Sequence, residues 1–360
     1  MGIFLILMHP GYTGNASASD SAFMAREDSL IRLRRSSLNA EEQFVRFNMN
    51  EKLIDYWFET LKIRGSEDYR FDRMDSMYMV TSADNKVRIV TWHILNDNLS
   101  YDFFGIVQAY SESRERYVVY ELHDKTGRLD NPEYETLRNG EWIGSIYYDI
   151  IEVERSSGFF DRLFSSPKKY YTLLGWNGND LKTDIKIIDV GRLQSNGGLV
   201  FGHPLFRTKD PRLRRIIFEY SSRAPMSMNY EKQYIRIEEK DKDSRKRQQG
   251  RARRKDPLQV SKVHQRDFSA QKRENQNQKK RSEPELEARK MIVFQRLIPL
   301  RPELEGIPSQ IVPHPEDYAA FVFENGRWNY YDNIEAFNRP DPKYDKYQRN
   351  YDDNFNLFLR

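Results

Sequence analysis

The period of the apolar pattern changes near residue 74, from about 3.6 to 2, and this constrains the fold more than any motif in the chain. Upstream, residues 20–64 read as two helices. Ser19 or Asp20 can cap a first helix that runs to about Ser36, and Asn39 followed by Glu42 resembles a capping box at the start of a second. In the second segment Leu53, Ile54, Trp57, Phe58 and Leu61 share one face, and Gly65 is a natural stop. That face is expected to pack as core on the sheet that follows.

Downstream, strands are expected at Met77–Ser82, Val87–Ile94, Tyr101–Tyr110, Tyr117–Leu122, Trp142–Val153, Tyr170–Trp176, Asp184–Val190, Arg214–Tyr220, Tyr234–Ile237, Met291–Leu297 and Ala319–Phe323. Turn chemistry separates them, as in Ala83-Asp84-Asn85, Asn96-Asp97-Asn98, Asn177-Gly178-Asn179 and Glu324-Asn325-Gly326. Short turns without intervening amphipathic helices argue for antiparallel pairing. Aromatic residues make up 13% of the chain, which suits half-buried strands. Trp142–Val153 is almost continuously apolar and is expected to be buried on both faces. The expected fold is mainly β (α+β): one large antiparallel β domain, sandwich or barrel-like, over about 70–335. A helical segment over 19–66 packs on it.

Between Lys240 and Arg281 the chain carries 16 Lys/Arg against 5 Asp/Glu, although the net charge of all 360 residues is only +4. The remainder is therefore acidic, at about −7. The tract holds few apolar residues and cannot offset the entropy of ordering it. It reads as a disordered basic insertion over 240–285 within the β domain, with Glu283–Lys290 extending as a short helix. Arg245, Lys246, Arg247, Arg251, Arg253, Arg254 and Lys255 are its densest anion-binding candidates. Phe268 is its only aromatic residue, so nucleic acid is an unlikely partner. Beyond Asn338 the sequence reads as a polar tail over 338–360.

The N-terminal run Ile3–Met8 is apolar, and Ala16-Ser17-Ala18 has the form of a cleavage site, so residues 1–18 are read as a signal peptide. Export to the periplasm or cell envelope is the expectation, with a cytoplasmic location as the alternative. No stretch reaches the length of a membrane-spanning helix. The chain is cysteine-free, which excludes disulfides, thiolate ligands and cysteine nucleophiles.

Catalytic patterns are absent. The six histidines, His9, His93, His123, His203, His264 and His314, show no metal-binding spacing, and no GxSxG or phosphate-loop motif occurs. No cofactor and no metal are expected. Asn177–Asp180 with Asp184 reads as an ordinary hairpin rather than a calcium loop. Aromatic side chains on strands are the remaining resource, and Trp92, His93, Tyr101 and Trp176 are the ligand-binding candidates. Packing is the competing role for each.

Lys169–Gly178 (KYYTLLGWNG), Thr183–Val190 and Phe201-Gly202 resemble a family of exported proteins from Bacteroidota that have no assigned activity. Ile216–Ser222 with Met226 and Met228, Ile292–Pro299, Phe321–Trp328 and Val87–Trp92 fit the same pattern. The resemblance covers most of residues 75–330 and implies export and a β-rich fold. The short N-terminal apolar run is the main departure from the family. The expected function is a non-enzymatic exported protein that binds or scaffolds a cell-envelope partner, a protein or a glycan. The alternatives are a hydrolase using an acid pair or His93 at a β-sheet pocket, and anionic-polymer binding through 240–281.

Overall fold

The computed structural model describes residues 18–155, 167–236, 286–332 and 334. The expected signal peptide as far as Ser17, the basic candidates Arg245 to Lys255 and the tail beyond Asn338 lie outside the described residues. The fold is mainly β, with two N-terminal helices and several antiparallel sheets.

Helices α1 (Ala18–Leu38) and α2 (Gln43–Leu61) lead into β1 (Tyr78–Thr81), β2 (Val87–Leu95), β3 (Tyr101–Ser111) and β4 (Arg116–Asp124). A 3-10 turn at Pro132–Tyr134 precedes β5 (Glu141–Trp142), β6 (Ile146–Arg155), β7 (Lys168–Asn177) and β8 (Thr183–Leu193). Then come β9 (Leu199–Phe201), β10 (Phe206–Arg207), β11 (Ile216–Ser221) and β12 (Met228–Arg236). The last strands are β13 (Leu286–Pro299), β14 (Ile311–Glu324) and β15 (Arg327–Tyr331).

The strands divide between two compact units. Among the described residues the first comprises 18–155, 167–228, 297–313 and 323–330; the second comprises 229–236, 286–296, 314–322, 331, 332 and 334. In the first unit one sheet has the order β1-β2-β3-β4-β5 and another the order β11-β8-β7-β6, with β9 on β8. These ladders are antiparallel except for a two-residue parallel pairing of β4 with β5, and β10 and β15 form a second short parallel pair. In the second unit β14, β13 and β12 are neighbours in that order, around a core of Met291, Val293, Ala320, Val322 and Ile334.

The apolar face of α2 packs as its spacing requires. Leu53, Trp57 and Leu61 are buried with Phe23 and Leu30 of α1 against Val90, Trp92 and Ile106 of β2 and β3. Strand alternation turns Thr91 the other way, where its Oγ1 accepts the Tyr147 amide of β6 at 3.1 Å. Helices therefore cover one face of β2 and the second sheet covers the other, so both faces are buried.

Four local expectations are corrected. Helix α2 begins after Glu42, which makes no side-chain cap; the Asn39 amide instead closes α1 by donating to Arg35 O at 2.9 Å. Residues 142–153 are not one doubly buried strand. The Gly144 amide donates to Asp124 Oδ1 at 2.8 Å, where a Cβ would lie 2.1 Å from that carboxylate, and this contact separates β5 from β6. β6 is also an outer strand of its sheet, with partly exposed positions. Leu286–Lys290 is strand rather than helix. The short strands β9, β10 and β15 were not foreseen.

The end of α2 is held by buried polar groups. Gly65 takes φ +93°, and Ser66 Oγ and Gln108 Nε2 donate to the Leu61 carbonyl at 2.9 and 2.8 Å. Arg88, also buried, donates to Gln108 Oε1 and to the carbonyls of Ser66 and Glu67. Each buried polar atom in this set gains a partner, which fixes the helix pair on the sheet.

Candidate functional site

The β2–β3 hairpin closes with a 2.8 Å bond from the Asn96 amide to Ser100 O, and its register sets His93 opposite Phe103 and Leu95 opposite Tyr101. His93, Tyr101 and Phe103 thus share a face, and Trp176 at the end of β7 meets all three. Ring centroids lie 5.1 Å apart for His93–Tyr101, 6.0 Å for His93–Trp176 and 5.7 Å for Tyr101–Trp176. Most of these rings meet at steep angles, the edge-to-face geometry that aromatic quadrupoles favour. Trp176 is oriented by donating Nε1 to Asp184 Oδ2 at 3.1 Å. Gly178 lets the cluster close, because a Cβ there would lie 2.4 Å from the Tyr101 ring.

The structure therefore brings together His93, Tyr101 and Trp176 and leaves out Trp92. One residue from His93, Trp92 faces α2 instead, stacks on Phe104 at 5.9 Å and donates Nε1 to Asn50 Oδ1 at 2.6 Å. Phe103 is the missing member; its signal in the sequence was its position two residues from Tyr101 on the same strand. Trp176 and Phe103 are buried and His93 and Tyr101 half-buried, so the cluster turns only part of its ring surface to solvent.

His93 is poorly suited to proton transfer near neutral pH. Burial, reinforced by the nearby Arg34 charge, pushes its pKa down to about 3. Arg34 is itself buried, donates Nη2 to the His93 carbonyl at 3.0 Å and is lowered to about 9 by burial. Two carboxylates do converge elsewhere: Lys169 Nζ lies 2.8 Å from Asp84 Oδ2 and 3.1 Å from Glu152 Oε2. Burial alone would raise the Asp84 carboxyl, but hydrogen bonds from Lys169, Ser82 and the Lys86 amide outweigh it and hold the pKa near 2. Asp84 is therefore a fixed carboxylate in a structural ion pair, with no proton to donate at neutral pH.

In the β7–β8 turn, Asp180 Oδ1 accepts the amides of Lys182 and Thr183 at 2.7 and 2.8 Å, so its carboxylate is spent on the turn itself. Among the described residues no group of three His, Asp or Glu side chains is placed to hold a metal ion. No helix of the described residues is long and apolar enough to cross a membrane.

Above the aromatic cluster, two hairpin tips and one helix end carry exposed apolar side chains. Leu95 and Leu99 lie at the β2–β3 tip, 41% and 50% exposed, and Leu181 in the β7–β8 turn is 63% exposed. Phe44, 72% exposed, begins α2, which is tied to the same tip because the Asp97 amide donates to Gln43 Oε1 at 2.9 Å and Arg46 pairs with Asp97. Leu99 holds φ +64°, a left-handed conformation that a branched side chain adopts only at a cost. Sequence reasoning passed over all four, because an isolated Leu or Phe beside a turn carries no signal of its own.

Comparison of the chain with protein-family models, with curated proteins and with solved structures finds no match.

Proposed function

We propose that this chain is a non-enzymatic exported protein that binds a protein partner of the cell envelope through the end of its first unit that carries Leu99. The observation that carries the proposal is Leu99 itself, a branched apolar side chain held exposed on left-handed backbone where glycine or asparagine would be unstrained. Leu95, Leu181 and Phe44 supply further apolar area at this end, and the closed ring cluster beneath gives the tips a rigid base. Three of these four exposed side chains are aliphatic, which favours a protein partner over a glycan, whose recognition calls for several accessible aromatic faces. Export rests on the N-terminal apolar run and on the resemblance noted above.

Cell fractionation tests both parts. The wild-type chain is expected in the envelope fraction, and Leu99→Asp is expected to move it to the soluble exported fraction without loss of the folded form. A chain found wholly in the cytoplasm contradicts the proposal.

A further inference from the structure

A second feature of the first unit points to a ligand of different chemistry. The folded body is acidic overall, yet residues 191–216 contain six Lys or Arg and one Asp. Strand pairing gathers part of this charge around one short segment. Arg192 lies opposite Val200 in the β8–β9 ladder. Leu137 bridges Phe201, which places Arg138 beside the same strand. Arg214 donates Nη1 to the Gly202 carbonyl at 3.3 Å. His203 follows directly, its ring edge-on to Tyr170 at 5.4 Å, with Nε2 buried and without a hydrogen-bond partner.

None of Arg138, Arg192 and Arg214 has a carboxylate within ion-pair distance among the described residues, whereas the neighbouring Arg212 and Arg215 are matched by Asp210 and Asp189. Burial lowers the His203 pKa to about 4; the Arg192 charge adds to this, Asp189 opposes it, and Arg214 and Arg138 lower it further. All three unmatched arginines thus act on one imidazole. Arg138 and Arg192 are exposed and Arg214 is half-buried, so the cluster opens to solvent.

From this placement we infer that Arg138, Arg192, Arg214 and His203 form a binding site for a phosphate-type oxyanion, free or carried on a lipid headgroup. Planar guanidinium forks suit tetrahedral oxyanions, and three of them without internal counter-charge leave a local excess that an anion would neutralise. The site is separate from the Leu99 end and does not depend on the function proposed there.

The test uses the full chain and two probes, inorganic phosphate by calorimetry and phosphatidylglycerol vesicles by co-sedimentation, each against sodium chloride at matched ionic strength. Saturable binding of phosphate that Arg138→Ala/Arg192→Ala weakens at least tenfold supports the site with a free ligand. Binding only to vesicles, with the same dependence on the two arginines, supports it with a headgroup ligand. Both substitutions are at exposed positions, and an unfolding midpoint unchanged in the absence of ligand verifies that the fold is intact. Arg114→Ala, on the β3–β4 turn, is the control and is expected to bind as the wild type does. Chloride matching phosphate, binding equal in the variant and wild type, or no binding to either probe overturns the inference.

Discussion

At the scale of single residues, several polar groups sit where the apolar pattern alone would place hydrocarbon. Glu27 is buried on α1 and accepts from Tyr69 Oη, the Arg73 amide and Arg73 Nε at 2.7–2.8 Å. Arg88 lies on a strand buried on both faces and is matched by carbonyls rather than carboxylates. His93 and His203 carry a consequence for acid stability. Both folded-state pKa values, about 3 and about 4, lie below the usual 6.5, so the unfolded chain binds protons that the folded chain refuses. The penalty is absent above pH 6.5, grows as pH falls, and levels off only near the folded values. Each histidine contributes a slope of up to about 1.4 kcal/mol per pH unit. Stability is therefore expected to fall between pH 7 and 4.5. His93→Phe, which keeps a ring in the cluster, is expected to remove roughly half of the histidine-dependent slope. Denaturant unfolding across this range checks it, and equal slopes in variant and wild type would contradict the environment assigned to His93. Neither pKa was legible in the sequence, because each depends on what packs over the ring.

At the scale of elements, the β2–β3 hairpin joins the fold to the proposed function. Its loop spans Asn96 to Ser100, and Leu99 occupies the left-handed position that such loops usually give to glycine. Leu99→Gly is expected to stabilise the protein by about 1 kcal/mol, a rise of about 2–4 °C in unfolding midpoint, while weakening partner binding. A lower midpoint in the variant would show that the leucine is there for packing. The hairpin was legible because Asn96-Asp97-Asn98 marks a turn between two strand-like runs; its register, which brings His93 beside Tyr101, was not. The α2 face was legible because Leu53, Trp57 and Leu61 repeat at helical spacing. The α2 start was not, since Asn39 belongs to the end of α1. Nor was the break before β6, which depends on Gly144 meeting an aspartate from another strand. Strands of two or three residues, such as β9 and β10, are too short to show a period.

At the scale of the whole molecule, the basic charge and the described structure fall on different parts of the chain. The basic tract dominates the net charge but lies outside the described residues, and the surrounding body is acidic. Within that body, the arginines around His203 and the apolar tips around Leu99 are two separate features of the first unit. The arginine placement was illegible in the sequence because Arg138, Arg192 and Arg214 reach one short segment only through the Leu137–Phe201 bridge, the pairing of Arg192 with Val200 and the Arg214 bond to Gly202. Partner binding through the Leu99 end is tested most directly by site-specific photo-crosslinking in the cells that make the protein. A photoreactive phenylalanine at position 99 is compared with one at Glu115, which is exposed on the turn at the opposite end of β3. The expected result is a discrete covalent adduct with an envelope protein from position 99 and none from position 115. The same adducts from both positions, or none from position 99, would contradict it.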